Sequence, residues 1–147
     1  MAGRVTPFQR VLSLLTIAGC RFLAALPPAA GRAAGRFIGR AAYWLVPRVR
    51  KITWDNVDKA YGDALDRESK RRIVRGAVEN VGIVASEFAR MPRLTAANID
   101  RYVDAEGLEH FEAGKGAFII GAHLGNWEWM AHVLVAHGIP TAEVVRP

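Results

Sequence analysis

The amino-acid sequence predicts an α/β protein, in which a helical, membrane-associated N-terminus precedes the first part of a mixed or parallel sheet flanked by helices. Three observations predict it: a basic apolar head, a long amphipathic helix, and an apolar strand followed directly by a helix. The 147 residues are enough for a domain with a core. We predict a basic membrane-anchoring helical segment, 1–53, and the N-terminal part of an α/β domain, 54–147, incomplete at the C-terminus.

The charge is divided unevenly along the chain. Met1–Trp54 holds nine Arg and Lys residues and no acidic residue, whereas the remainder holds eleven basic and fourteen acidic residues. Because the basic head is also rich in Leu, Ala and aromatic residues, an anionic phospholipid surface is the favoured partner. Nucleic acid is the weaker interpretation, since no recognised binding module is present, and we expect no nucleic-acid partner.

The head contains an apolar run from Val11 to Cys20, which Arg21 interrupts and which then continues to Leu26. This run is shorter than the roughly 20 residues that a spanning helix needs. We expect an uncleaved, shallow or tilted anchor with Arg10 and Arg21 on one face at the headgroups. A cleaved signal peptide, with a lipoprotein-like "IAGC" ending at Cys20, and a plain core helix are the alternatives.

Arginines recur every four residues in the next segment, at Arg32, Arg36 and Arg40, and this spacing lines one helical face. Tyr43 and Trp44 follow them. An arginine stripe with aromatic flanks is typical of a helix on a membrane surface. A solvated charged face is the alternative.

The middle of the chain predicts two helices. The first ends near Gly62; Asp66 is placed to cap the second, and Pro92 ends it. An apolar stripe with helical spacing predicts the core-facing side of the second helix: Ile73, Ala77, Val81, Val84 and Phe88. Three polar residues off this stripe are expected in solvent: Glu79, Asn80 and Glu87.

The last third predicts a strand–helix–strand unit with a right-handed crossover. We expect strands at Tyr102–Asp104 and Ala117–Ala122, a short helix at Leu108–Ala113 between them, a helix closed by Gly138, and a strand beginning in "TAEVVRP". The continuous apolar run Phe118–Ile120 is expected of a central strand covered on both faces.

The turn within "GAHLGNWEWM" holds the candidate catalytic residues. His123 falls at the carboxyl end of the predicted strand, where open α/β sheets bind ligands. Gly125 permits a close approach of backbone or substrate, and Asn126 is suited to cap the following helix. A carboxylate at Glu128, in the first helical turn, can hold one imidazole nitrogen and leave the other as a general base. The pattern favours deprotonation of a hydroxyl or amine, with helix-terminal amides available to a developing oxyanion.

Two other interpretations of these residues stay open. Glu128 and His132 lie four residues apart, and His123 would complete a metal site, although two histidines flanking a glutamate in the zinc-protease pattern are absent. A capping turn is the other interpretation. Its histidine then makes only structural hydrogen bonds, and His132 and His137 are surface or capping residues.

Cys20 is the only cysteine, so it provides neither a disulfide framework nor a cysteine zinc site. We expect no metal.

The segment "GKGAFIIGAHLGNWEWMAHVLVAHGIPTAEVVRP" resembles the late lipid A acyltransferases, a lauroyl- and myristoyl-transferring family in the lysophospholipid acyltransferase superfamily. The mark of the superfamily is a histidine, four residues and an acid, here His123 and Glu128, and "H-x-GNWE" is typical of the lipid A branch. The downstream "VVRP" matches the Arg-Pro segment of the family with Arg146 and Pro147. The part of the resemblance that carries motifs covers about Leu108–Pro147. Upstream of it, the similarity is one of organisation, a basic N-terminus that anchors to the membrane.

The resemblance implies a glycerolipid acyltransferase-like fold at the bacterial inner (plasma) membrane, with the catalytic part facing the cytoplasm. It implies transfer of a fatty acyl chain from acyl carrier protein to a hydroxyl of an acylated glucosamine lipid, the lipid A precursor, without a cofactor. His123 is then the general base, and Glu128 orients and charges it. Arg146 is the candidate for binding an acceptor phosphate. Gly125 and Asn126 complete the expected substrate-binding set.

Two alternatives accompany this expectation. The acceptor could instead be another glycolipid, such as an acylated phosphatidylinositol mannoside, or a lysolipid. The chain could also be an inactive membrane-binding fragment. Members of the family run well beyond the Arg-Pro segment, so we expect these 147 residues to be a fragment or a truncated product with little or no activity by themselves.

Overall fold

The computed structural model describes residues 6–111, 115–122 and 124–142. The chain divides into two compact units, Met1–Arg90 and Met91–Pro147. The α-helices of the first unit are α1 (Pro7–Ala25), α2 (Pro28–Leu45), α3 (Pro47–Tyr61) and α4 (Arg67–Phe88), with a 3₁₀ turn at Gly62–Ala64. The second unit has 3₁₀ turns at Met91–Arg93, Ile99–Arg101 and Leu108–His110, followed by α5 (Glu128–Ala136). The predicted domain division after residue 53 stays a prediction.

Local sequence signals set the helix boundaries of the first unit. Proline occupies the first position of α1, α2 and α3, where its missing N–H costs nothing. Gly62 ends α3, as predicted. Asp66 caps α4, also as predicted, because its carboxylate accepts a hydrogen bond from the Ser69 N–H at 2.7 Å. Hydrogen bonds from Ser69 lower the pKa of Asp66.

α1 leaves most of its apolar side chains exposed. Among the described residues it is the one helix that is long and apolar enough to cross a membrane. By length and composition, signal sequences and the core helices of soluble proteins pass the same test, but Ala24 is the only buried residue of α1. The predicted membrane anchor is compatible with this exposure and stays a prediction.

α2 and α4 pack through their backbones. The buried residues of α2 are Gly31, Gly35 and Gly39, which recur every four residues on the face beside the arginine stripe. A Cβ added at Gly35 would lie 2.5 Å from the carbonyl oxygen of Gly82 in α4, and one added at Gly39 would overlap the carbonyl oxygen of Val78. Only glycine allows the two helices to approach this closely.

The predicted core stripe of α4 is wrong by about one residue. The buried residues of this helix are Val74, Val78, Gly82 and Ser86. Val81 and Phe88 of the predicted stripe are exposed, with 69% and 51% of their surface accessible. The reason is that α4 packs against the glycines of α2. The face of α4 that carries Val78 and Gly82 fits closely there, so the face with the larger side chains is turned away from the contact.

The expectation that Glu79 lies in solvent is also wrong, and Glu87 is half-buried, whereas Asn80 is exposed as predicted. The Glu79 side chain is only 17% exposed and accepts hydrogen bonds from Arg40 of α2, at 2.8 Å, and from Arg75, at 2.9 Å. These two guanidinium groups lower the pKa of Glu79. One member of the predicted arginine stripe, Arg40, therefore links α2 to α4.

The second unit has a small side-chain core. Leu94, Ile99 and Val133 are buried together, and Ile99 is only 1% exposed. Four partly buried residues pack around them: Val103, Ala105, Trp129 and Ala136. This cluster joins the 3₁₀ turn at Ile99–Arg101 to α5.

The predicted sheet is contradicted, because no strand occurs in residues 6–111, 115–122 or 124–142, and the structure is helical. Ala117–Ala122 has no regular secondary structure and no paired strand in the described part of the chain, and Phe118 and Ile120 are fully exposed. A strand is stabilised by hydrogen bonds to a neighbouring strand, so an apolar run without such a neighbour does not form one. Tyr102–Asp104 is likewise not a strand, since the Tyr102 N–H continues a 3₁₀ turn to Ile99. The strand expected in "TAEVVRP" lies mainly outside the described residues.

Candidate active site

The candidate site surrounds the beginning of α5 in the second unit. The expected helix is confirmed: it begins at Glu128, so this carboxylate lies in the first turn as predicted. Glu128 is half-buried. An acidic group in the first turn is stabilised by the partial positive charge of the helix N-terminus.

Two of the five predicted site residues, His123 and Arg146, lie outside the described residues. Gly125 has φ +63°, in the left-handed region that glycine adopts without strain. The turn before α5 therefore uses the glycine of the motif. Gly125 is exposed, whereas Asn126 is half-buried.

Asn126 lies one residue too early to be the predicted N-cap. The N-cap position belongs to Trp127, and no side chain caps the helix there. The backbone carbonyl oxygen of Asn126 instead accepts a hydrogen bond from the N–H of Trp129, at 3.2 Å. The helix begins late because residues 126–129 form a turn that precedes the first α-helical hydrogen bonds.

His132 has a structural contact. Its Nε2 lies 2.9 Å from the carbonyl oxygen of Leu94, and since a carbonyl oxygen only accepts, Nε2 donates there. This hydrogen bond ties α5 to the segment that contributes Leu94 to the core. It also occupies the nitrogen that a metal would need if it bound through Nε2. No metal-ligand cluster occurs within the described residues, a set that does not include His123.

His137 and Gly138 close α5 by hydrogen bonds. His137 is the C-cap, one of the roles that the sequence allowed, and Gly138 follows it with φ +78°. The N–H groups of Gly138 and Ile139 donate to the carbonyl oxygens of Val135 and Leu134. This pair of bonds is the Schellman motif that glycine favours, so the expected end of the helix is confirmed.

The segment Ala117–Ala122 meets the beginning of α5 at a contact that the sequence did not predict. A Cβ added at Gly121 would lie 3.1 Å from the terminal methyl group of Met130. Because Gly121 has no side chain, its backbone can lie against Met130 near the beginning of the helix. A glycine two residues before the histidine is the signal that could have indicated this close approach.

A glycine turn leads here into a helix whose first turn holds Glu128, the acid of the His-x₄-acid motif. The chain matches the model of the bacterial lipid A biosynthesis acyltransferase family over residues 4–147. It belongs to this family, as the sequence motif indicated. The family is membrane-associated in bacteria. No curated protein and no solved structure matched the chain.

Proposed function

We propose that the protein transfers a fatty acyl chain from acyl carrier protein to a hydroxyl of an acylated glucosamine lipid, at the cytoplasmic face of the bacterial inner membrane. The observation that carries the proposal is the His-x-Gly-Asn-Trp-Glu motif, in a chain that matches the lipid A acyltransferase family over nearly its full length. The position of Glu128 in the first turn of α5 supports it.

In the proposed mechanism, His123 takes the proton of the acceptor hydroxyl as its oxygen attacks the thioester carbonyl. The carbon–sulfur bond breaks, the thiolate of the carrier leaves, and the histidine returns the proton to it. Glu128 holds the other imidazole nitrogen and stabilises the imidazolium that forms between the two steps. Backbone N–H groups near the beginning of α5 are available to the oxyanion.

Arg146 is proposed to bind a phosphate of the acceptor, because a guanidinium presents paired donors to phosphate oxygens. Gly125, with its left-handed backbone, leaves room for substrate beside the turn. Asn126 is proposed to border the substrate. No metal or organic cofactor enters this mechanism.

The test uses membranes of a host that lacks its own late acyltransferases and expresses the protein from its native gene. Acyl-loaded carrier protein is supplied with the lipid A precursor, an acylated phosphatidylinositol mannoside or a lysophospholipid, and mass spectrometry detects the addition of one acyl chain. We expect addition to the lipid A precursor. His123→Ala and Glu128→Gln should each lower the rate about a hundredfold or more, the range of general acid–base catalysis.

The controls are His110→Ala and Glu109→Gln, which alter an exposed histidine and glutamate of the same unit, with 82% and 74% of their side chains accessible. Both should keep the activity, and all four variants should stay in the membrane fraction. Unchanged transfer by His123→Ala rejects the site. Transfer to a different acceptor alone rejects the lipid A precursor.

A further inference from the structure

An open cleft of about 770 Å³ lies between α3 and the beginning of α4. It belongs to the first unit, whereas the residues of the proposed mechanism belong to the second. Its walls are mostly charged, and its lining consists of Pro47, Arg50, Lys51, Trp54, Asp55, Asp58, Arg67 and Lys70.

The lysines and the carboxylates of the cleft neutralise each other. Lys51 Nζ lies 2.7 Å from Asp55 Oδ2, and Lys70 Nζ lies 2.7 Å from Asp58 Oδ1. The Lys70 side chain is only 15% exposed, so its charge is held close to Asp58. Because each lysine is paired with a carboxylate, the net positive charge of the lining comes from its two arginines, Arg50 and Arg67.

Arg50 and Arg67 form no ion pair with any residue in the described ranges. They come from different helices and line the same cleft. Two guanidinium groups without carboxylate partners, beside two neutralised lysines, match a phosphate group, whose oxygens accept paired hydrogen bonds from each fork.

Two further features favour an anion there. Pro47 and Arg67 are the first residues of α3 and α4, so the lining includes the beginning of each helix, which carries a partial positive charge. Trp54 is fixed by a hydrogen bond from its Nε1 to the Tyr43 hydroxyl oxygen, at 2.9 Å. Its ring gives the cleft a rigid apolar side for the part of a ligand that is not phosphate.

We infer that the cleft between α3 and α4 binds a phosphate group through Arg50 and Arg67. The phosphate is that of an anionic lipid headgroup or of a soluble phosphate compound, and the two sources share this chemistry. The inference concerns the first unit and does not rest on the proposed acyl transfer.

Calorimetric titration of the detergent-solubilised protein tests it, at fixed ionic strength, with dihexanoyl phosphatidic acid, inorganic phosphate and dihexanoyl phosphatidylcholine. We expect a saturable site for phosphatidic acid and none for phosphatidylcholine, whose anionic phosphate is offset by its choline cation. Binding of the short-chain lipid alone assigns the site to a headgroup, and binding of inorganic phosphate as well assigns it to soluble phosphate compounds. Absence of binding by all anions overturns the inference.

The decisive variant is Arg50→Gln with Arg67→Gln, compared with Arg48→Gln and Arg71→Gln. The second pair removes the same charge from exposed positions of the same helices that do not line the cleft. The first pair should weaken binding about tenfold to a hundredfold, since each charge-assisted contact is worth about a factor of ten, and the second pair less than threefold. Equal weakening by the two pairs shows diffuse attraction and overturns the site.

Arg50→Lys with Arg67→Lys keeps the charge and should still weaken binding several-fold. Wild-type affinity of this variant contradicts recognition by the paired N–H groups of the guanidinium.

Discussion

The two units of the chain are packed in different ways, the first through backbone contacts and the second through buried side chains. In the first, glycines of α2 lie against the backbone of α4, with Gly35 and Gly82 facing each other. In the second, a cluster of three buried side chains, Leu94, Ile99 and Val133, holds a short helix to a 3₁₀ turn. Backbone packing tolerates no added atom, whereas a side-chain cluster can relax around a lost one. The first unit should therefore be the more sensitive to enlargement and the second to truncation.

The largest expected effect comes from Gly82→Ala. The added Cβ overlaps the carbonyl oxygen of Gly35, so α2 and α4 must separate along their contact. We expect a loss of at least about 3 kcal/mol in the free energy of unfolding, at the upper end of the costs of overpacking. Chemical denaturation of the detergent-solubilised protein, followed by circular dichroism, measures it.

Gly76→Ala is the matched control, because Gly76 is an exposed glycine of the same helix and a Cβ there has nothing within 4 Å. It should stabilise α4 by about 0.5–1 kcal/mol through helix propensity alone. Equal effects of the two substitutions would contradict the close packing of α2 and α4.

A smaller effect is expected from Ile99→Ala in the second unit. Ile99 is 1% exposed, and its truncation should cost about 2–3 kcal/mol, toward the lower end for buried isoleucines because so small a cluster can partly collapse. Hydrogen exchange followed by mass spectrometry should show faster exchange in peptides from residues 91–111 and 124–142.

Ile120→Ala makes the same chemical change at an isoleucine that is 97% exposed. It should alter stability by less than about 0.5 kcal/mol, as surface substitutions do. A cost as large as that of Ile99→Ala would mean that the segment Ala117–Ala122 is buried in solution.

A smaller effect than that of Ile99→Ala is expected from Glu79→Gln, which weakens the bonds of Glu79 to Arg40 and Arg75. Both arginines are about half exposed or more, so solvent screens the pair and the loss at pH 7 should be about 1 kcal/mol. The folded-state pKa of Glu79 is lowered. Its contribution is therefore fully present above its unfolded pKa, roughly 4.3, and is lost as the pH falls through the lower folded value.

Denaturation curves between pH 7 and pH 3 measure this contribution. The difference between wild type and Glu79→Gln should shrink toward acid, while Glu106→Gln, at an exposed glutamate, should change stability little at neutral pH. A difference that grows on acidification would contradict the assigned role of Glu79.

Local signals predicted three helix ends, whereas α4 ends at Phe88, before the predicted Pro92, and Asn126 is not the cap of α5. Asp66 caps α4, Gly62 ends α3 and Gly138 closes α5, because each of these residues acts on hydrogen bonds within four positions along the chain. The His-x₄-acid motif was equally readable, and the family match over residues 4–147 confirms the membership that it indicated. The catalytic roles of His123 and Glu128 stay predictions.

The sheet and the core face of α4 were not predictable in this way. Periodicity shows that a helix has an apolar side, but which side is buried depends on the partner, and α2 presents glycines that accept Val78 and Gly82. An apolar run such as Phe118–Ile120 has the composition of a strand, yet pairing needs a second segment in register. No such partner occurs in the described part of the chain, and Phe118 is exposed.

The sequence by itself determined several helix ends, the basic head and the acyltransferase motif, because these depend on residue type and short spacing. Only the tertiary structure decided that Gly31, Gly35 and Gly39 form a packing ridge, that Glu79 lies between two arginines, and that α3 and α4 enclose a cationic cleft. The physical reason is distance along the chain: the contact between Gly35 and Gly82 joins residues that no local pattern relates, and it exists only after the helices pack.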